Sequence, residues 1–273
     1  MAKMQTGTVR SLTATIGTAA MIMLAGPVAA QDAKPQITGN FGVASEYVFR
    51  GFSQTAEKWA VQGGIDMTYK WFYAGIWGSN LDFGRDVTPA GVSRPVASTE
   101  VDFYAGIKPV FGRVTFDIGI IYYSYPRALD GALQVSRELD YIELKLGASG
   151  EIWKDGTLGL TAFYSPEYTN AQGEVWTFEL AFAQVLPKMR DITPTFSALL
   201  GYQIGDDARY IAITGNGADD YLYWNVGLTL GFGDRFSLDL RYWDTNVSNT
   251  GGFCSGQIFQ CDERVVGSAK VTF

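Results

Sequence analysis

Histidine is absent from all 273 residues, and cysteine occurs only twice. Without imidazole the chain loses the side chain whose unperturbed pKa suits proton transfer near neutrality, and with it Ser-His-Asp triads, Cys-His dyads and most catalytic zinc sites. Positive charge is also sparse. Against 28 Asp and Glu stand 21 Lys and Arg, for a formal net charge of −7 and a pI near 4.7; phosphate backbones would be repelled, so nucleic acid is excluded as a partner. Charged residues make up only 18% of the chain, yet 47% apolar and 14% aromatic content removes it from the disordered class. Beyond residue 30 no apolar run approaches the ~18 residues of a helical membrane span. Cys254 and Cys261 lie seven positions apart, unlike CxxC redox or zinc pairs, and a local disulfide is the simpler reading. The composition points to no cofactor and no metal.

The first thirty residues have the organisation of an export signal. Lys3 and Arg10 make a basic start, Leu12 to Ala25 form a moderately apolar stretch, and Val28-Ala29-Ala30 supplies small residues before a cleavage point at Gln31. The apolar stretch is shorter than a membrane span and is broken by Thr and Gly. Its removal takes away two basic residues and no acid, moving the net charge from −7 to about −9. An exported chain occupies a compartment where the cysteine bridge can persist. The expected organisation is therefore a signal peptide over 1–30 and one domain over 31–273.

What is present after residue 30 is alternation of period two. From Leu222 to Phe232 the even positions are apolar and large, while Tyr223, Asn225, Gly227, Thr229 and Gly231 occupy the other face. Phe236, Leu238, Leu240 and Tyr242 likewise oppose Ser237, Asp239, Arg241 and Trp243. Marking each such segment predicts twelve strands, near 37–49, 59–70, 72–83, 99–110, 113–125, 139–150, 157–168, 174–186, 192–204, 220–232, 235–246 and 262–273. These are longer than the ~5 or 6 residues of ordinary soluble strands and suit a tilted bilayer crossing. Connections alternate between short (Lys70-Trp71, Gly233-Asp234) and long (50–58, 84–98, 126–138, 205–219, 247–261), with 169–173 the short member of the long class. The pattern predicts an all-β, antiparallel up-and-down transmembrane barrel of the bacterial outer membrane, with short periplasmic turns and external long loops. Trp59, Trp71, Phe72, Trp153, Trp176, Phe236 and Tyr242 fall near strand ends, where interfacial girdles lie. A secreted β-sandwich would also alternate, but strand length and loop asymmetry favour the barrel. Lipid and lipopolysaccharide are then expected around it, and terminal Phe273 resembles the signature read by the outer-membrane barrel assembly machinery.

Taking the large apolar parity as lipid-facing leaves Glu46, Asp66, Asp82, Asp102, Asp117, Glu143, Glu179 and Asp239 inside, together with Lys70, Lys108, Lys145, Arg241, Arg264 and Lys270. Such a set can act as a mutually paired polar lining, and its acid excess predicts a mildly cation-favouring pore for small solutes. Twelve strands enclose a narrow lumen. Inward or neighbouring glycines such as Gly106, Gly119, Gly201 and Gly227 are expected either to widen it or to serve backbone bending and aromatic rescue in a curved sheet, and Tyr104, Tyr123, Phe163, Tyr223 and Trp243 to narrow it.

Three runs carry a family likeness: Tyr47-Val48-Phe49-Arg50-Gly51-Phe52-Ser53-Gln54-Thr55, then Val61-Gln62-Gly63-Gly64-Ile65-Asp66, then Phe72 to Phe83. With Trp243-Asp244-Thr245-Asn246 and a cysteine-containing loop before Asp262-Glu263-Arg264, the chain resembles the proteobacterial TorF family, described as porins. The resemblance implies an outer-membrane β-barrel and carries over no substrate or catalytic residue.

Catalysis is discounted, because barrel phospholipases and surface proteases use histidine. Paired carboxylates could act without it, but the adjacent loop acids Asp206-Asp207 and Asp219-Asp220 read as solvated surface, or at most as a weak divalent-cation site. The other function class left open is a closed structural or adhesive barrel whose external loops bind a partner.

Overall fold

The computed structural model describes residues 34–87, 91–129, 138–207, 210, 219–247, 254 and 258–273. The predicted signal segment and its cleavage point lie outside the described residues. Twelve long strands follow one another: β1 Gln36–Ala44, β2 Ala60–Tyr69, β3 Phe72–Asn80, β4 Thr99–Ile107, β5 Val114–Ser124, β6 Tyr141–Trp153, β7 Gly156–Ser165, β8 Val175–Val185, β9 Ile192–Gly205, β10 Asp220–Phe232, β11 Phe236–Thr245 and β12 Arg264–Thr272. Each pairs antiparallel with its neighbours, and β12 returns to β1, setting Asn40 opposite Thr272 and Ala44 opposite Ser268. The sheet is a closed barrel without an edge.

The alternation explains the closure. Ile65, Leu144, Leu146, Leu160, Leu200, Leu240 and Val265 are exposed on the outside, while their sequence neighbours Glu143, Lys145, Gly201 and Arg241 turn inward. A continuous apolar exterior of this kind matches hydrocarbon rather than water. Trp59, Trp71, Phe72 and Trp153 are more than half exposed at or beside strand ends. One end of the barrel carries the start of β1, the end of β12 and the short turns, several of which use left-handed residues such as Lys70, Asp155 and Gly233. The other end carries the long connections.

Eleven of the predicted strands agree with the observed ones to within three residues at either end. The first does not. β1 stops at Ala44, and of the residues expected to finish that strand and form an external loop, 46–55 turn into the barrel instead. There Val48–Phe49 pairs with Phe52–Ser53 in a hairpin of its own, turning at Arg50 and Gly51 with φ of +48° and +88°. Positive φ at both central residues is the two-residue turn that matches strand twist; only the Arg is strained by it. Thr55 accepts from the Tyr47 N–H, and the Gln54 N–H donates to the Tyr47 carbonyl, which ties the base of the hairpin. The physical reason for its inward course is composition. Tyr47, Val48 and Phe52 are too apolar for a solvated loop, and in the lumen they are buried against Tyr221, Tyr223 and Trp243.

Cys254 and Cys261 are joined by a disulfide with Cα atoms 5.5 Å apart, and both are buried. The Thr245 hydroxyl donates to the Cys261 carbonyl, and the Ser53 N–H donates to the Gln260 carbonyl, so the bridged loop is anchored both to the wall and to the inserted hairpin.

Candidate functional site

The lumen has two halves of different chemistry. Toward the long loops, the tip of the inserted hairpin places Arg50 across the barrel from β6. Its Nη1 and Nη2 donate to the two carboxylate oxygens of Glu143 at 2.6 and 2.8 Å, a two-pronged pair in which both side chains are almost wholly buried. The guanidinium also lies 4.8 Å from the Phe49 ring centre and 5.0 Å from that of Phe163, positions that favour a cation over an aromatic face. The Tyr221 hydroxyl donates to the Arg50 carbonyl, and the Tyr123 hydroxyl to Glu143. Tyr123 and Tyr141 stack at 4.4 Å, and Phe52 meets Tyr221 edge-on at 5.3 Å. Glu179 accepts from the Tyr223 hydroxyl at 2.6 Å, and Arg264 donates to Glu46 at 2.8 Å. Tyr223 and Tyr141 on the wall and Val48 and Arg50 on the hairpin are all nearly sealed from solvent, so the barrel is shut at this level.

Toward the short turns the interior is a lattice of charges on the wall itself. Asp117 accepts from Lys145 at 2.7 Å and from the Tyr73 hydroxyl at 2.7 Å, with Lys108 at 3.7 Å. Tyr104 donates to Asp66. Arg241 binds Asp239, Asn225 and Ser197, while the Thr229 hydroxyl donates to Asp239. Lys270 lies on the same inner face, near the terminus of β12.

Most of the predicted lining residues therefore face inward: Asp66, Asp102, Asp117, Glu143, Lys145, Glu179, Asp239, Arg241, Arg264 and Lys270 from strands, with Lys108 just past β4 and Glu46 just past β1. Two do not line the lumen. Lys70 is exposed in the Lys70-Trp71 turn beyond the end of β2. Asp82 lies beyond β3, paired at 2.5 Å with the exposed Lys58; parity was extrapolated past the points where the strands stop. The hydrogen bond from Lys58 holds the Asp82 carboxyl below its ordinary range.

The glycines also act differently from an opening role. The Tyr223 ring lies on Gly201, the Tyr104 ring on Gly75, and the Tyr73 hydroxyl against both Gly106 and Gly119, so that a Cβ at any of these positions would collide with the tyrosine. They seat aromatic side chains on the inner wall rather than widening the lumen.

Sequence reasoning left Arg50 in an external loop and passed over Glu100. Glu100 shares the inward face of β4 with Asp102, two residues away, and both are buried. The Tyr47 hydroxyl points at Glu100 at 3.5 Å. Counting both ends of the pairs, the long-loop half holds five carboxylates, Glu46, Glu100, Asp102, Glu143 and Glu179, against Arg50 and Arg264. The short-turn half holds Asp66, Asp117 and Asp239 against Lys108, Lys145, Arg241 and Lys270. Acid excess is thus confined to the half that the hairpin fills. Among the described residues no group of three or more Cys, Asp or Glu is placed to hold a metal, and Asp206-Asp207 and Asp219-Asp220 form no such cluster.

Among solved structures the chain is similar to an outer membrane channel from Pseudomonas putida F1, with 9% identity and a TM-score of 0.51 over 90% of this chain and 98% of that one. It is also similar to the KdgM porin, with 8% identity and a TM-score of 0.50 over 86% and 98%. At such identities the likeness is one of fold. No curated protein matches the sequence. A sequence profile of bacterial proteins of unknown function, Gcw_chp, matches residues 29–273, which takes in all twelve strands of the barrel, and the protein belongs to that family.

Proposed function

We propose that the protein is an outer-membrane channel for passive diffusion of small solutes or ions, mildly favouring cations, exported by the signal segment at 1–30. The observation that carries this reading is the combination of a closed barrel, an apolar exterior and a charged interior, which together suit a polar path through lipid. The TorF resemblance of the Tyr47–Thr55 and Phe72–Phe83 runs adds to it. The cation preference is assigned to the long-loop half, where carboxylates outnumber guanidiniums. Phe273 pairs with Gly39 at the barrel closure and is exposed, which leaves its ring available to the assembly machinery. No chemical step is assigned.

The test is single-channel current of the refolded chain in a planar bilayer under a KCl gradient. Discrete steps with a cation-selective reversal potential, reduced by Asp102→Asn and Asp239→Asn, are the expected result. A folded barrel that never passes current would sink the channel reading. A specific observation favours the second reading in that event: the hairpin shuts the lumen, which suits a structural or adhesive barrel acting through its external loops.

A further inference from the structure

Resting on the channel reading, we infer that the 48–53 hairpin is a displaceable stopper: the barrel conducts when it leaves the lumen, and the Arg50–Glu143 pair is the latch that retains it. The hairpin is not woven into the wall. Its two short strands pair with each other, while the barrel ladder closes from β12 to β1 to β2 without it. Its withdrawal therefore breaks no rung of the barrel. The backbone bonds that hold it run chiefly to other connections, from Ser53 to the Gln260 carbonyl and from Asp82 to the Gln54 carbonyl.

The hold on its tip is concentrated in one residue, Arg50, whose carbonyl also accepts from the Tyr221 hydroxyl. Arg50 reaches the opposite wall and makes a two-pronged ion pair there, and it does so in a left-handed backbone conformation that a non-glycine residue keeps only under constraint. Loss of that pair would release both the charge and the strain.

The wall behind the hairpin supplies an independent argument. Among the described residues no protein donor reaches Oε2 of Glu100, Oδ1 of Asp102 or Oε2 of Glu179, and neither amide atom of Gln62 has a partner, although all are buried. With the hairpin out, these groups line a polar passage.

The test is to tie the hairpin down. A Cβ at Gly51 would lie 3.7 Å from the Thr245 Cβ and 3.1 Å from the Tyr223 Cβ, the first within the range that a disulfide spans, so G51C/T245C can link the tip region to β11 with a left-handed cysteine at the turn. Folding is checked by the heat-modifiable gel shift and the link by peptide mass. Oxidised G51C/T245C is expected to pass at least about tenfold less current than wild type, as a locked minor state would, and to recover when a thiol reductant is added, with reductant-treated wild type as reference. Arg50→Ala and Glu143→Gln should raise the open fraction. If the oxidised tether conducts like wild type, or if Arg50→Ala and Glu143→Gln both leave the open fraction unchanged, the stopper is refuted while the channel reading survives. If wild type, Arg50→Ala and a chain with 48–54 replaced by a Gly-Ser linker all fold and none conducts, the channel reading falls with it.

Discussion

Near the long loops Arg50 and Glu143 meet with side chains 2% and 1% exposed; near the short turns Lys145 and Asp117 meet at 9% and 13%. The second pair joins neighbouring strands, since β5 and β6 run side by side and place Asp117 opposite Gly147 and Gly119 opposite Lys145. It stitches a wall, and water reaches part of it. The first pair joins a wall to an inserted segment, 93 residues apart in sequence, and is dry. Charges inside one barrel therefore serve two purposes: cross-strand pairing in one half, docking in the other. The desolvation penalty of the docked pair is offset only while both partners are present.

The sharpest break of this comparison is Glu143→Gln set beside Asp117→Asn. Glu143→Gln strands a buried guanidinium and should weaken docking of the hairpin by about 3–5 kcal/mol. Asp117→Asn removes charge-assisted bonds in a partly wet site, for about 2 kcal/mol, and should leave the hairpin in place. Hydrogen exchange of Val48–Ser53 reads the difference; equal exchange in the two variants would abolish the distinction drawn between the halves.

Next in size is Cys254→Ser. Bridging a loop this short limits the unfolded chain by about 2–3 kcal/mol, so the loop over 247–261 should loosen, and with it the bond from Ser53 to Gln260. Insertion and the heat-modifiable form should persist, and their complete loss would contradict the prediction.

The smallest effect belongs to Lys58 and Asp82 at the long-loop rim. The pair is well exposed, so Lys58→Ala should cost no more than about 1 kcal/mol, and less in high salt. Because Asp82 is held below its ordinary range, its contribution is present above about pH 4 and fades as pH falls through the lower folded value. A stability difference between wild type and Lys58→Ala that widened on acidification would reverse that sign.

The wall was legible because lipid on one side and lumen on the other impose period two on every residue; β10, predicted over 220–232, is found at Asp220–Phe232. The inserted hairpin was not. A segment surrounded by side chains buries both faces, so Tyr47, Val48 and Phe49 read as the continuation of β1. Its signal lay in composition and turn chemistry, with apolar residues on either side of Arg50-Gly51. Lys70 and Asp82 were misplaced for the opposite reason, because parity continues on paper beyond the last rung of a ladder. Glu100 shares its parity with Asp102 and was readable from the same alternation.

The inserted hairpin leaves β1 at the seam where β1 pairs with β12. Ser45 donates to the Gly267 carbonyl, and Glu46 is paired with Arg264, 218 residues away. Its root therefore rests on β12, far from it in sequence. Contacts of such separation are slow to form, so the root of the hairpin is expected to set only once β12 has closed on β1.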